Sequence, residues 1–307
     1  MKGKIDIISA LYALTYKRRG VPMRLLNTFM KVLEKSGTKD LDRYRMDYVS
    51  EFQEPERRID NLIVSLTSFP QRIDDVWKTI ISLKRQTFRP EKIILWLSLV
   101  EFPSRLLPAS LTEMQDSQFE IRFREGDFKS HTKYYYAFKE FQNSKIITVD
   151  DDVYYHKDTV KHLIKEHEKH TNAIISNRVR QMIFKEKTLL PYNYWKTMVK
   201  GGSHKDLFFL GVDGVLYPEN IMPEMVLNPH EFMSLTPKAD DVWLNAMAQL
   251  KNIPIIKTDF RFRNLPTYKG EISLQSINCE KNLNDKQINN IRKFLKKKID
   301  KDIFIAK

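Results

Sequence analysis

The 307-residue chain has a single cysteine, Cys279, and only nine glycines. One cysteine closes no internal disulfide, so nothing calls for an oxidising compartment and the cytoplasm is the expected location. The glycines form no phosphate loop of either the P-loop or the dinucleotide type, which removes the main support for ordinary kinase, NTPase and dehydrogenase readings. Short repeats and biased runs are also missing, and with them collagen, low-complexity linkers and repeat solenoids. No stretch approaches the roughly 20 apolar residues of a membrane span: Ile5 to Leu14 is broken by Asp6, and Lys92 to Val100 is strand-sized. The N-terminus lacks a small-residue cleavage site after its apolar stretch, so neither secretion nor a transmembrane anchor is expected.

What the chain does have is positive charge and enough apolar residues for a core. Lysine and arginine outnumber aspartate and glutamate by 52 to 39, a net +13, so the expected partner is anionic: nucleic acid, a phosphorylated small molecule or an acidic membrane face. At 42% apolar residues the chain can fill one large domain or two small ones.

Residues 1–58 read as a helical arm, with Leu11, Leu14, Leu25, Leu26, Phe29, Met30 and Leu33 at helical spacing among basic residues. Such a face suits packing on the main domain or lying on lipid. From Asn61 strands and helices alternate. A buried strand over Asn61 to Thr67 is followed by a helix over Asp74 to Gln86, and Pro90 then separates that helix from a strand over Lys92 to Ser98. The pattern continues as Phe119 to Arg124, Lys133 to Gln142, Lys145 to Val149 and Thr159 to Lys169, which implies an α/β fold with a mostly parallel sheet and helices on its faces. Ligands of such sheets bind beyond the carboxyl ends of the strands.

Three of those ends carry unusual residues. The apolar strand Lys145 to Val149 runs directly into Asp150, Asp151 and Asp152. Alternation puts Asp150 and Asp152 on one side, where Mg²⁺ or Mn²⁺ would offset their repulsion and bridge to phosphate oxygens; a solvated acidic turn ahead of a helix capped by Asp158 is the plainer alternative. The first strand ends in Thr67, Ser68, Phe69, Pro70, Gln71 and Arg72, whose hydroxyls, amides and guanidinium suit a nucleotide. Lys133 opens an aromatic-rich helix and is placed to face phosphate, whereas His131 reads as structural or exposed. Gly211 and Gly214 interrupt a strand over Leu207 to Tyr217, which permits a bend or the close approach of a ligand. Asp240 and Asp241 open a helix, where they serve the helix dipole or hold an acceptor hydroxyl as a base. Trp195, with Tyr192 and Tyr194, forms an aromatic knot able to stack on a sugar or to pack in the core.

In order and spacing this set resembles the nucleotide-sugar-dependent glycosyltransferases of the GT-A fold. The likeness is to those of bacterial polysaccharide synthesis and, more distantly, to exostosin-like transferases, and it covers about residues 60–260. It implies a catalytic domain over residues 59–270 with helical extensions at both ends. It also implies Thr67, Ser68 and Arg72 at the nucleoside, Asp150 at the ribose or donor sugar, Asp152 with Asp150 at a Mn²⁺ or Mg²⁺ ion, Asp151 assisting, and Lys133 at phosphate. Asp241 or Asp240 would face the acceptor, as base if the enzyme inverts, with Gly211, Gly214 and Trp195 lining the acceptor side. Where the family has an aspartate after its second strand, this chain offers Ser98 and Glu101, so the nucleotide is not fixed by the likeness. The implied reaction moves a sugar, from UDP for instance, to a glycan or lipid-linked acceptor in cell-surface polysaccharide synthesis, with no nucleic-acid partner. A metal-dependent nuclease or a basic nucleic-acid-binding protein is the alternative that the charge allows. Residues 271–307 form a basic tail. Its helix over Asn284 to Asp300 presents Ile288, Ile291, Leu295 and Ile299 on one face beside lysines, which suits the anionic inner face of the cell membrane or a solvated terminal helix.

Overall fold

The computed structural model describes residues 54–198, 200–204, 206–260, 264–267 and 282–305. Nearly all of the expected N-terminal arm lies outside the described residues, as does Cys279. The centre is an eight-stranded sheet built from β1 (Arg57–Thr67), β2 (Phe88–Ser98), β3 (Phe119–Arg124), β4 (Lys145–Thr148), β5 (Ile174–Ser176), β6 (Gly202–Ser203), β7 (Val215–Tyr217) and β8 (Ile255–Lys257). Its spatial order is β6, β8, β5, β7, β4, β1, β2, β3. Only β7 and β6 run against the rest. The expected mixed α/β architecture with a mostly parallel sheet is therefore present.

Among the described residues, the α-helices longer than four residues are α1 (Val76–Lys84), α2 (Thr132–Glu140), α3 (Thr159–His167), α4 (Pro229–Leu235), α5 (Asp240–Leu250) and α6 (Leu283–Ile299). Strand alternation sorts them onto two faces. Leu62, Val64 and Leu66 of β1 join Ile147 of β4 and Leu216 of β7 in a core with α1 and α3. The intervening Ile63 packs with Trp96, Ile146 and Ala137 of α2 on the other face. A further cluster there joins Val215 and Tyr217 of β7 to Trp243 of α5 and to α6. A one-residue slip of β1 would exchange the two faces, so its register is firmly set.

Two expectations need correction. Pro90 does not separate a helix from a strand, because α1 already ends at Lys84 and Pro90 lies within β2 opposite Ile59. Strand β3 joins only at Ile93, so the stretch with Pro90 has a single neighbour, where a missing N–H is tolerated. The apolar stripe of α6 does not face lipid either: Ile288, Ile291 and Leu295 are buried against the body of the protein, and only Ile299 stays exposed. Among the described residues no helix is long and apolar enough to cross a membrane. Leu295→Ala is accordingly expected to lower unfolding stability by about 2–5 kcal/mol in a denaturant titration, as for other large-to-small changes in a packed core.

Candidate functional site

Going outward from β1, the chain passes to β2 and β3 on one side and to β4 on the other. The crevice between the carboxyl ends of β1 and β4 is thus a topological switch point, where open α/β sheets take their ligands. Thr67 to Arg72 leave β1 at this point, and Asp150, Asp151 and Asp152 leave β4 beside them.

The alternation of β4 carries into the triplet. Asp151 turns to the α1 face and is buried, accepting hydrogen bonds from Ser68 Oγ at 2.6 Å and from Arg72 at 2.7 Å. Its carbonyl accepts from Thr79 of α1 at 2.8 Å. Arg72 also reaches Asp152 at 2.9 Å. Ser68 and Arg72, expected at a nucleoside, and Asp151, expected to assist at the metal, brace one another under the acidic turn, since a carboxylate buried this deeply requires a cation and a hydroxyl to stay in the fold. Thr67 donates to the Trp96 carbonyl at 2.9 Å and is only partly buried. Burial raises the Asp151 carboxyl above its ordinary range by more than Arg72 and Ser68 lower it.

Asp150 and Asp152 stay about a third exposed at the rim, with side-chain accessibilities of 30% and 31%. Burial, and then the charge of Asp150, push the Asp152 carboxyl up to about 6. The backbone of the turn is fixed on both sides. The Asp150 amide donates to the Tyr155 hydroxyl at 2.8 Å, and the Asp152 carbonyl accepts from the amide of Thr267 at 2.9 Å. Thr267 leaves its own buried hydroxyl unpartnered beside the turn. Asp158 occupies the N-cap position of α3 but makes no side-chain cap; its carboxylate accepts from Thr87 instead, at 2.7 Å.

On the α2 face, buried Lys133 lies between two acidic groups, 2.8 Å from Asp150 and 3.1 Å from Asp240. Burial works to discharge this ammonium, but Asp150 and Asp240 together outweigh it and hold its pKa above the usual lysine range. The lysine expected at phosphate is therefore the tie between the β4 triplet and the start of α5. Its backbone is held as well, the Lys133 carbonyl accepting from Ser65 of β1, which also receives the Trp96 indole N–H.

The neighbouring His131 is structural. Its Nε2 faces the Thr236 carbonyl at 2.7 Å and must carry the proton, which leaves Nδ1 to accept from Tyr134 at 3.1 Å. Burial pushes this imidazole down to about 4, so it is neutral and pins the chain four residues ahead of Asp240. Asn245 secures the same helix by bonding both backbone groups of Phe209 and the carbonyl of Asp241. Asp241 accepts from the Val242 amide at 2.8 Å, and burial followed by the charge of Asp240 raises its carboxyl to about 7.

Of the residues expected on an acceptor surface, Gly211 lies beside Lys133, with 3.6 Å between the ammonium and where a Cβ would stand. Gly214 is buried at a positive φ of 93° against Leu163 of α3, so it serves the chain turn and not a ligand. Trp195 belongs to the core: it is buried against Tyr192 and Phe208, with its indole N–H on the Leu190 carbonyl at 2.8 Å. Of the two residues offered after β2, Ser98 is buried, whereas Glu101 is partly exposed, with its carboxyl raised by burial and by Asp127.

Tyr155 and Asp213 were missed by sequence reasoning. Asp213 stands between Gly211 and Gly214, where an acidic residue at a forced bend was the available signal. No sequence signal marked Tyr155 beyond its closeness to the triplet.

Together these groups set five carboxylates, Asp150, Asp151, Asp152, Asp240 and Asp241, against two cations, Arg72 and Lys133. Among the described residues no three His, Cys, Asp or Glu form a metal cage on their own. Asp150 and Asp152 nevertheless fit Mg²⁺ or Mn²⁺, since a hard cation of this size is commonly held by one or two carboxylates together with substrate phosphate oxygens and water.

No family model matches the sequence, and no curated protein does. Some solved structures share its chain course. The 4-diphosphocytidyl-2C-methyl-D-erythritol synthase of Anaerococcus prevotii is 11% identical at a TM-score of 0.41, over 68% of this chain and 93% of that one. S. aureus TarS 1–349 in complex with UDP-GlcNAc is 12% identical at a TM-score of 0.43, over 70% of this chain and 60% of that one. A second structure of TarS 1–349 gives 12% identity and a TM-score of 0.40, over 78% and 72%.

Proposed function

We propose that the chain is a metal-dependent glycosyltransferase that moves a sugar from a nucleoside-diphosphate donor to the hydroxyl of a glycan or lipid-linked acceptor, in the synthesis of a cell-surface polysaccharide. One observation carries this reading: Lys133 joins the partly exposed triplet at the sheet's switch point to a second acidic pair at the start of α5. Two acidic centres held at a fixed spacing suit two substrates, a diphosphate with its cation at Asp150 and Asp152 and a hydroxyl at Asp241. The excess of carboxylates would repel a bare diphosphate, so the donor enters with its cation.

In this mechanism the acceptor oxygen attacks the anomeric carbon while the bond from that carbon to the diphosphate oxygen breaks, and the diphosphate leaves with the bonding pair. Asp241 takes the hydroxyl proton; a carboxyl raised to about 7 is matched to that task near neutral pH. Asp240 is tied to Lys133, which keeps the start of α5 at a fixed distance from Asp150. The bound cation would supply charge stabilisation to the leaving diphosphate. Asp151, Ser68 and Arg72 act from beneath by holding the triplet in place.

Release of nucleoside diphosphate from a panel of UDP-, GDP- and CDP-linked sugars, with and without Mn²⁺, tests the reading. One donor turned over only with the metal is the expected outcome. Inertness toward the whole panel together with salt-sensitive cleavage of oligonucleotides would replace it with the nuclease.

A further inference from the structure

Sheet register places one more group at the same rim. Val215 of β7 lies between Thr148 of β4 and Ser176 of β5. Two residues beyond that row are Asp150 after β4, Asp213 before β7 and Arg178 after β5. All three leave the sheet at the same end, and the strand that Asp213 precedes lies between the two that Asp150 and Arg178 follow.

Arg178 is set up differently from the other two cations. Arg72 and Lys133 are buried and each is held by two carboxylates. Arg178 meets a single carboxylate among the described residues, Asp213, through one nitrogen at 2.5 Å, while its side chain stays 42% exposed. Asp213 itself is buried and immobilised. Its other carboxylate oxygen accepts from Asn264 at 2.6 Å, its carbonyl accepts from Asn177 at 2.8 Å, and its backbone sits at a positive φ of 70°. The backbone of Arg178 is fixed in turn, its carbonyl accepting from Ser176 Oγ and the Leu210 amide. A guanidinium has five N–H donors in a rigid fork. Here one end is anchored on a buried acid, while the side chain keeps 42% of its surface exposed.

We infer that Arg178 is a diphosphate-binding residue, engaging phosphoryl oxygens on the side away from the cation held by Asp150 and Asp152. This rests on the glycosyltransferase reading and adds to it a contact that the sequence motifs did not reveal. It also replaces Lys133, whose charge is already met by Asp150 and Asp240. The fork geometry suits paired phosphate oxygens.

Calorimetric titration of the full chain with inorganic pyrophosphate and Mn²⁺ tests the assignment without knowledge of the sugar or base. Arg178→Gln is expected to weaken pyrophosphate binding by about tenfold or more, the scale of a lost charge-assisted pair, while orthophosphate binding changes less. Arg178→Lys, which keeps the charge and loses the fork, is expected to fall between. Should Arg178→Gln fail to fold, Arg178→Lys decides, and wild-type affinity in that variant would overturn the assignment. If both Arg178 variants bind as wild type while Asp152→Asn abolishes the Mn²⁺ dependence, Arg178 is no ligand and the transferase reading survives. If the wild-type chain binds neither Mn²⁺-pyrophosphate nor any nucleoside diphosphate, the transferase reading fails and the assignment fails with it.

Discussion

Lys133→Met is expected to cost about 3–5 kcal/mol of unfolding stability, the range for removing one partner of a buried ion pair, and to reduce transfer activity severely. The methionine has nearly the length of the lysine stem, so the loss is one of charge and not of packing. Asp150 and Asp240 would then be left with no cation between them. Their repulsion would no longer be offset, and the spacing between triplet and α5 would no longer be held. Urea unfolding monitored by tryptophan fluorescence reads the first effect and single-turnover transfer the second. A variant of unchanged stability would mean that Lys133 is not the tie described here. Lys133→Arg is expected to rescue only in part, because a planar guanidinium does not fit between two carboxylates placed for a tetrahedral ammonium.

The second large effect is at Asp241. Asp241→Asn is expected to lower the transfer rate about 10²–10⁴-fold, the usual contribution of a positioned base, while donor affinity stays near wild type. The pH dependence has a definite sign. As the base, Asp241 must be ionised, so activity in the wild type rises with pH through about 7, and the variant loses that limb. Stability runs the other way. A carboxyl raised on folding favours the native state below its pKa, and that contribution is lost as pH rises from the unfolded range near 4 to about 7. Asn mimics the protonated acid. The melting temperature of Asp241→Asn relative to wild type is therefore expected to increase between pH 5 and pH 8, and a constant offset would place Asp241 outside the buried acidic group.

Much of this arrangement was legible in the sequence because strands print their alternation directly. The apolar strand running into three aspartates marked the switch-point rim, and the division of Asp150 and Asp152 from Asp151 follows from the same period of two. What the period does not give is the partner on the inner side. Ser68 and Arg72 carry the chemistry of a nucleotide site, and only the fold reveals that they serve Asp151. Lys133 was visible as a cation near the site, but its two carboxylates come from segments 17 and 107 residues further along, a closure that no local pattern records. Trp195 and the α6 stripe each left two readings open for one reason. An apolar surface looks the same in sequence whether it meets a sugar, a lipid or the protein's own core, and packing decided for the core in both. Arg178 was invisible because its neighbours in space are set by the reversed strand β7 between β4 and β5.

The central claim is that Asp152, with Asp150, binds a divalent cation together with a diphosphate. Calorimetric titration of UDP into the wild-type chain and into Asp152→Asn, each with and without Mn²⁺, addresses it most directly. The account predicts binding by wild type that requires Mn²⁺ and is lost in Asp152→Asn while the variant keeps its fold. UDP binding that is indifferent both to the metal and to this substitution would contradict it.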